Sequence, residues 1–171
     1  LEQLDKEIIE AFQSEANELL KELKVVVEQI EDSGDVFPKT LLEEFANKTD
    51  RLMGTAKTFE AMCPGHKVFF QIGKFCELCK ATGYKASTLN HLQLIPIFSA
   101  FWADTLDMLE ELCNNIETAE KVEEVTRSFA PMLQKRLIWL AQQIVSLTKG
   151  ANADQAIINV DGLLKKMGID V

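Results

Sequence analysis

Apolar positions recur at steps of three and four along almost the whole chain, and nowhere do they alternate with a period of two. Leu4, Ile8, Phe12, Leu19, Leu23, Val26 and Ile30 form the first stripe, with glutamates and lysines between them. That spacing predicts one long amphipathic helix, closed by Asp32-Ser33-Gly34-Asp35. Pro38 and the Thr40-to-Glu43 spacing of a capping box predict where a second helix starts. Its inward stripe is Leu41, Phe45, Leu52, Ala56 and Phe59, and Cys63-Pro64-Gly65 ends it. A third helix carries Val68, Phe69, Ile72, Phe75, Cys76 and Cys79 and is expected to stop at Gly83. A fourth should run from Thr88 to about Asn115, with Pro96 marking a fresh start or a kink. A fifth should run from Ala119 to Thr148, bent or split at Pro131 and followed by Gly150.

These elements predict an all-α protein. Short connections favour antiparallel neighbours, hence an up-down helical bundle. The 171 residues suit one domain. Residues 1–149 should form the bundle, and 150–171 a small-residue linker and a short amphipathic tail helix. With 47% apolar and 26% charged residues the chain has the composition of a globular protein. A net charge of −9 without a basic stripe excludes a nucleic-acid surface. No apolar run approaches the roughly 20 residues that span a bilayer, and no signal-peptide pattern opens the chain, so a cytoplasmic protein is expected. Opening on Leu1 rather than Met fits a fragment or a processed chain.

The first two helices carry a more specific pattern. The stretch Phe12-Gln13-Ser14-Glu15-Ala16-Asn17-Glu18-Leu19-Leu20 and the stretch Asp50-Arg51-Leu52-Met53-Gly54-Thr55-Ala56 resemble the opening of a histidine phosphotransfer (HPt) domain, particularly that of chemotaxis histidine kinases. The family's signature is His-x-x-Lys-Gly followed by two small residues. Gly54, Thr55 and Ala56 match it, whereas Asp50 stands for the histidine and Met53 for the lysine. The resemblance continues through Ile72-Gly73-Lys74-Phe75 and covers roughly residues 4 to 117. It implies four HPt-like helices, extended here by the fifth helix and the tail.

Without the imidazole there is no nucleophile to carry a phosphoramidate, and neither His66 nor His91 has Lys-Gly at the required offset. An acyl phosphate on Asp50 would need a divalent cation, and no acidic cluster sits nearby in sequence. What the resemblance leaves is a docking face for a receiver domain, made of Asn47, Asp50, Gly54 and Lys57. Gly54 costs a helix interior roughly 1 kcal/mol relative to alanine. Three explanations are open: room for a docking partner, a residue merely inherited, or close contact with a neighbouring helix of the bundle.

The segment Val160-Asp161-Gly162-Leu163-Leu164-Lys165-Lys166-Met167-Gly168-Ile169 is similar to the receiver-binding peptide that ends the chemotaxis response-regulator phosphatases. The resemblance implies helix-in-groove docking through Leu163, Leu164, Met167 and Ile169. Lys165 and Lys166 depart from the acidic or small residues usual there. The alternative is a last helix that folds back on the bundle. A four-residue Glu-x-x-Asn pattern at Glu44 and Asn47 is similar to the one another chemotaxis phosphatase family uses to hold water.

Cys63, His66, Cys76 and Cys79 have zinc-like spacing, although Cys76 and Cys79 also fall on the apolar face beside Ile72 and Phe75, where thiols act as small hydrophobes. Trp102 and Trp139 lie in apolar stripes and are expected in the core. The run Glu120, Glu123, Glu124 fits a solvated face near a helix start. The expectation is therefore a non-catalytic, cofactor-free and metal-free interaction module of two-component or chemotaxis signalling, whose partner is a response-regulator receiver domain or a chemotaxis kinase. The alternatives are a phosphatase of phosphorylated receivers using Glu44 and Asn47, or a homo-oligomer paired through the fifth helix.

Overall fold

Nine buried apolar side chains, among them Phe12, Leu20, Leu23 and Ile30, line one face of the first helix and set its packing. The computed structural model describes residues 6–148. The described residues form five α-helices: α1 (Lys6–Glu31), α2 (Lys39–Met62), α3 (Lys67–Leu89), α4 (Ile95–Asn114) and α5 (Ala119–Thr148). A single 3-10 turn, Leu92–Leu94, joins α3 to α4, and no strand occurs among the described residues. The linker at 150–153, the tail residues Leu163, Leu164, Met167 and Ile169, and Leu4 lie outside the described residues.

The first four helices close into a ring. α1 packs on α2 and α4, and α3 packs on the same two. Every neighbouring pair is antiparallel. Phe12 meets Phe59 while Glu22 pairs with Lys48. Asp50 meets Lys80 while Asn47 meets Tyr84. Gln13 donates to the Cys113 carbonyl at 2.9 Å, while Lys24 reaches Asp107 and Glu110. Helix α5 lies outside the ring against α4 and the 3-10 turn, where Leu133, Leu137, Leu140 and Ile144 are buried and Arg136 pairs with Asp104.

Two aromatic clusters fill the core. Phe12 stands edge-on to Phe59 and Phe69, with ring centroids 5.1 and 4.9 Å away. Towards the other end Trp102 lies between Phe45 (4.5 Å) and Phe98 (5.4 Å). Its buried indole N–H donates to the Thr82 hydroxyl at 2.8 Å, so the ring enters the core with its polar atom satisfied. The Thr82 hydroxyl in turn donates back to the Leu78 carbonyl at 2.9 Å.

Four expectations are corrected (the capping box, the stop at Gly83, the start at Thr88 and the burial of Trp139), and the alternatives at Pro96 and Pro131 are narrowed. Helix α2 begins at Lys39, so Thr40 is already inside it; Pro38 occupies the cap position with no side-chain bond, and the capping box does not form. Helix α3 runs on through Gly83 to Leu89 and takes in Thr88. Asn90 stops it in a left-handed conformation (φ 52°, ψ 39°), a role asparagine tolerates better than most residues. Pro96 sits in the first turn of α4, where no amide is needed, and marks a fresh start. Pro131 lies within α5 without splitting it. Trp102 is fully buried, but Trp139 is 47% exposed, because α5 has only one neighbouring layer and turns this residue away from it.

Gly83 is buried for a reason other than ending a helix. A Cβ built there would lie 3.2 Å from Phe45 Cδ1 and 3.3 Å from Ala46 Cβ, so α2 and α3 touch at this point because no side chain stands between them. Replacing Gly83 by valine should overpack the contact and cost about 1–3 kcal/mol, measured as a lower urea midpoint with an unchanged slope.

Candidate docking face on the second and third helices

Helix α2 turns Asn47, Asp50, Gly54 and Lys57 to solvent, opposite a buried stripe that includes Leu42, Phe45, Leu52 and Ala56. The four polar and small positions follow one another by three or four residues and so share one side of the helix. Helix α3 completes this surface with Lys80 and Tyr84. The Lys80 ammonium donates to Asp50 Oδ1 at 2.5 Å. That hydrogen bond holds the lysine above its ordinary pKa. One turn away the Tyr84 hydroxyl donates to Asn47 Oδ1 at 3.2 Å.

Beyond these pairs, towards the C-terminal half of α2, the surface flattens at Gly54. Apart from its own stretch of helix, no described atom lies within 4 Å of where its Cβ would be. Among the described residues no neighbouring helix uses the space at Gly54, so its explanation by internal packing is set aside, while docking and simple inheritance both stay open. Met53, at the position of the family's lysine, is half-buried and packs against the core. The two departures from the signature thus point apart, Asp50 outward and Met53 inward.

Glu44 and Asn47 are each drawn into a different contact. Glu44 lies 3.7 Å from Lys48, which also holds Glu22 of α1, while Asn47 is engaged by Tyr84 of α3. Nothing in this arrangement joins the two around one point.

The spaced cysteines and His66 do not assemble into a metal-binding group. Among the described residues no three His, Cys, Asp or Glu side chains converge as metal ligands. The same holds around Asp50, whose nearest ionic partner is Lys80. His66 precedes the first turn of α3 and is only partly buried, whereas Cys76 and Cys79 enter the core. There they join Cys113, and all four cysteines are free thiols. Burial pushes Cys79 up to about 12 despite a hydrogen bond with Thr105, and it also pushes Cys113 up to about 12. Cys76 is raised as well, by burial first and by its two neighbours second.

At the far end of the bundle a shallow cleft of about 260 Å³ lies between the end of α1 and the start of α4, lined by Ile30, Ser33, Ile95 and Ser99 among others. Among its described lining residues Glu31 alone is ionisable, so these assemble no catalytic pair. No family model, curated protein or solved structure matches this chain. The resemblance to HPt domains therefore rests on the quoted residues.

Lys80 and Tyr84 were not among the residues singled out from sequence. Four residues apart, they flank the buried Cys76–Cys79 face at the edge of α3, and only the helix register shows what they meet. Asn47, Asp50, Gly54 and Lys57 do share one exposed face, while the tail residues fall outside the described ones.

The buried thiols make stability depend on alkaline pH. They stay neutral in the folded chain while unfolded cysteine ionises near about pH 8.5. Their contribution is fully present below that value and is lost as pH rises towards about 12, because the unfolded state then binds fewer protons. The urea midpoint should be level from neutrality to about pH 8 and fall from about pH 8.5. A Cys79→Ala/Cys113→Ala variant, though less stable overall, should show a shallower fall between about pH 8.5 and 10.

Proposed function

We propose that this chain is a non-catalytic pseudo-HPt module of two-component or chemotaxis signalling, which docks a response-regulator receiver domain on the outer face of α2 and α3. Gly54 carries the reading. Among the described residues no neighbouring helix takes up the space its missing side chain leaves, and a surface needs such room where another protein's backbone comes close. Asp50, Asn47 and Lys57 around it offer polar contacts, and the antiparallel ring of four helices supports the HPt-like arrangement. The tail adds a second contact of the helix-in-groove kind through Leu163, Leu164, Met167 and Ile169. In this role the module works in the bacterial cytoplasm, where receivers and chemotaxis kinases reside, and carries no phosphate itself.

Calorimetry of the full chain against receiver domains, with and without a phosphoryl mimic, tests the docking face. We expect dissociation constants of roughly micromolar order for the cognate receiver. Gly54→Arg should weaken binding at least about tenfold, or roughly 1.4 kcal/mol. Gly54→Ala should keep the fold and raise stability by about 0.5–1 kcal/mol. A cognate receiver that binds Gly54→Arg as tightly as the original chain would remove the α2 face from the proposal.

The missing nucleophile gives a second test. Incubation with an active histidine kinase and labelled ATP should leave the chain unlabelled. Acid-labile, base-stable label on His66 or His91, or hydroxylamine-sensitive label on Asp50, would show that the module does carry phosphate.

A further inference from the structure

Helix α5 changes character halfway along. Its first half carries Glu120, Lys121, Glu123, Glu124 and Arg127, but no charged residue occurs from Leu137 to Thr148. Its inner side is buried through Leu137, Leu140 and Ile144. The outer side of such a helix would ordinarily be polar and charged. Here it presents Ile138 at 40% and Trp139 at 47% exposure, with a shallow groove of about 290 Å³ beside them, lined by Ala141, Gln142, Val145 and Ser146. Ile138, Ala141 and Val145 recur at the spacing of one helical stripe.

The chain that follows contains a matching stripe. Val160, Leu163 and Met167 have the same three-then-four spacing, with Leu164 beside them. In helical geometry each stripe is roughly 10 Å long, seven residues at about 1.5 Å each. Residues 149–159 lie between the two stripes and include Gly150 and Asn152, residue types that allow a reversal.

We propose that the segment 157–169 docks antiparallel on the outer side of α5, laying Val160, Leu163, Leu164 and Met167 along Ile138, Ala141 and Val145 and covering one side of Trp139. Three observations select this occupant. The strip is uncharged, and so is the stripe that would meet it. Their lengths agree. The tether raises the local concentration of the segment to roughly the millimolar range, which a second copy of the chain does not match in dilute solution. A helix this short is unstable alone, and the α5 strip supplies the apolar surface that would order it. The proposal holds whether or not the same segment also meets a receiver; where it does, the two contacts compete.

Iodide quenching of tryptophan emission in the full-length chain tests the docking. Trp102 is fully buried and stays silent, so quenchable emission reports Trp139. The expected result is little quenching in the original chain at every protein concentration. In Leu164→Asp the quenchable fraction should rise to about half of the emission, with the far-ultraviolet helical signal otherwise kept. Ile138→Asp, made on the opposite partner, guards against a tail-specific artefact. It should speed tryptic cleavage after Lys165 and Lys166 at least severalfold, as read by intact mass. Free quenching of Trp139 in the original chain would overturn the proposal. So would protection that survives Leu164→Asp, or cleavage rates equal in the original chain and Ile138→Asp. Protection that disappears on dilution and ignores Leu164→Asp would assign the strip to a second copy instead.

Discussion

The close approach of α2 and α3 at Gly83 is the contact from which the rest of the bundle takes its register. Because Gly83 has no side chain, Phe45 and Ala46 of α2 lie directly against α3. Thr82, the neighbouring residue, is thereby held where the Trp102 indole of α4 can reach its hydroxyl while the ring lies against Phe45. Three helices are fixed to one another at one level of the core. On the outside of the same contact Asn47, in the same turn of α2, meets Tyr84, and Asp50, about one turn further on, meets Lys80. The polar surface is a consequence of the inner contact rather than its cause.

This order of cause matters for what the surface can do. Exposed ion pairs contribute little to stability, since water and salt compete for both partners. Asp50 and Lys80 can exchange one another for groups on a docking protein at little expense to the fold, because Gly83, Trp102 and the phenylalanine clusters keep the helices in place. The two glycines divide the labour. Gly83 lets two helices of the same chain meet, whereas Gly54 lies under open space and, on the proposed reading, leaves room for a partner.

The helices were legible because their stripes are long and regular, and each buried stripe holds its period for three turns or more. The errors fall where one residue type serves two purposes. Glycine after an apolar run is both a common helix end and a common site of close helix approach, and only tertiary structure tells Gly83 from a cap. Trp139 was misplaced because its neighbours Leu137, Leu140 and Ile144 do form the buried stripe, while the indole lies on the other side of the same turn. The α2 half of the candidate face could be found from spacing and resemblance together. Its α3 half, Lys80 and Tyr84, could not, since the register between two helices is written in their shared contact and in neither sequence pattern alone.

Docking and phosphotransfer are physically separable demands on such a face. Phosphotransfer requires an imidazole at one position, with a solvent-facing nitrogen and a neighbouring cation to steady the phosphoryl group. Docking requires the right helix spacing, a flat approach at Gly54 and polar groups that a partner can engage. On the proposed reading, Asp50 would forgo the first and leave the second intact, because its side chain is exposed. Met53 is different. It packs against the core, and a lysine there would have to lift its ammonium past apolar neighbours to reach the surface. Once no phosphoryl group needs steadying, an apolar residue at 53 packs at no cost to the docking surface. An exposed aspartate at 50 and a core-packed methionine at 53 are thus compatible with the proposed module, which would bind without transferring.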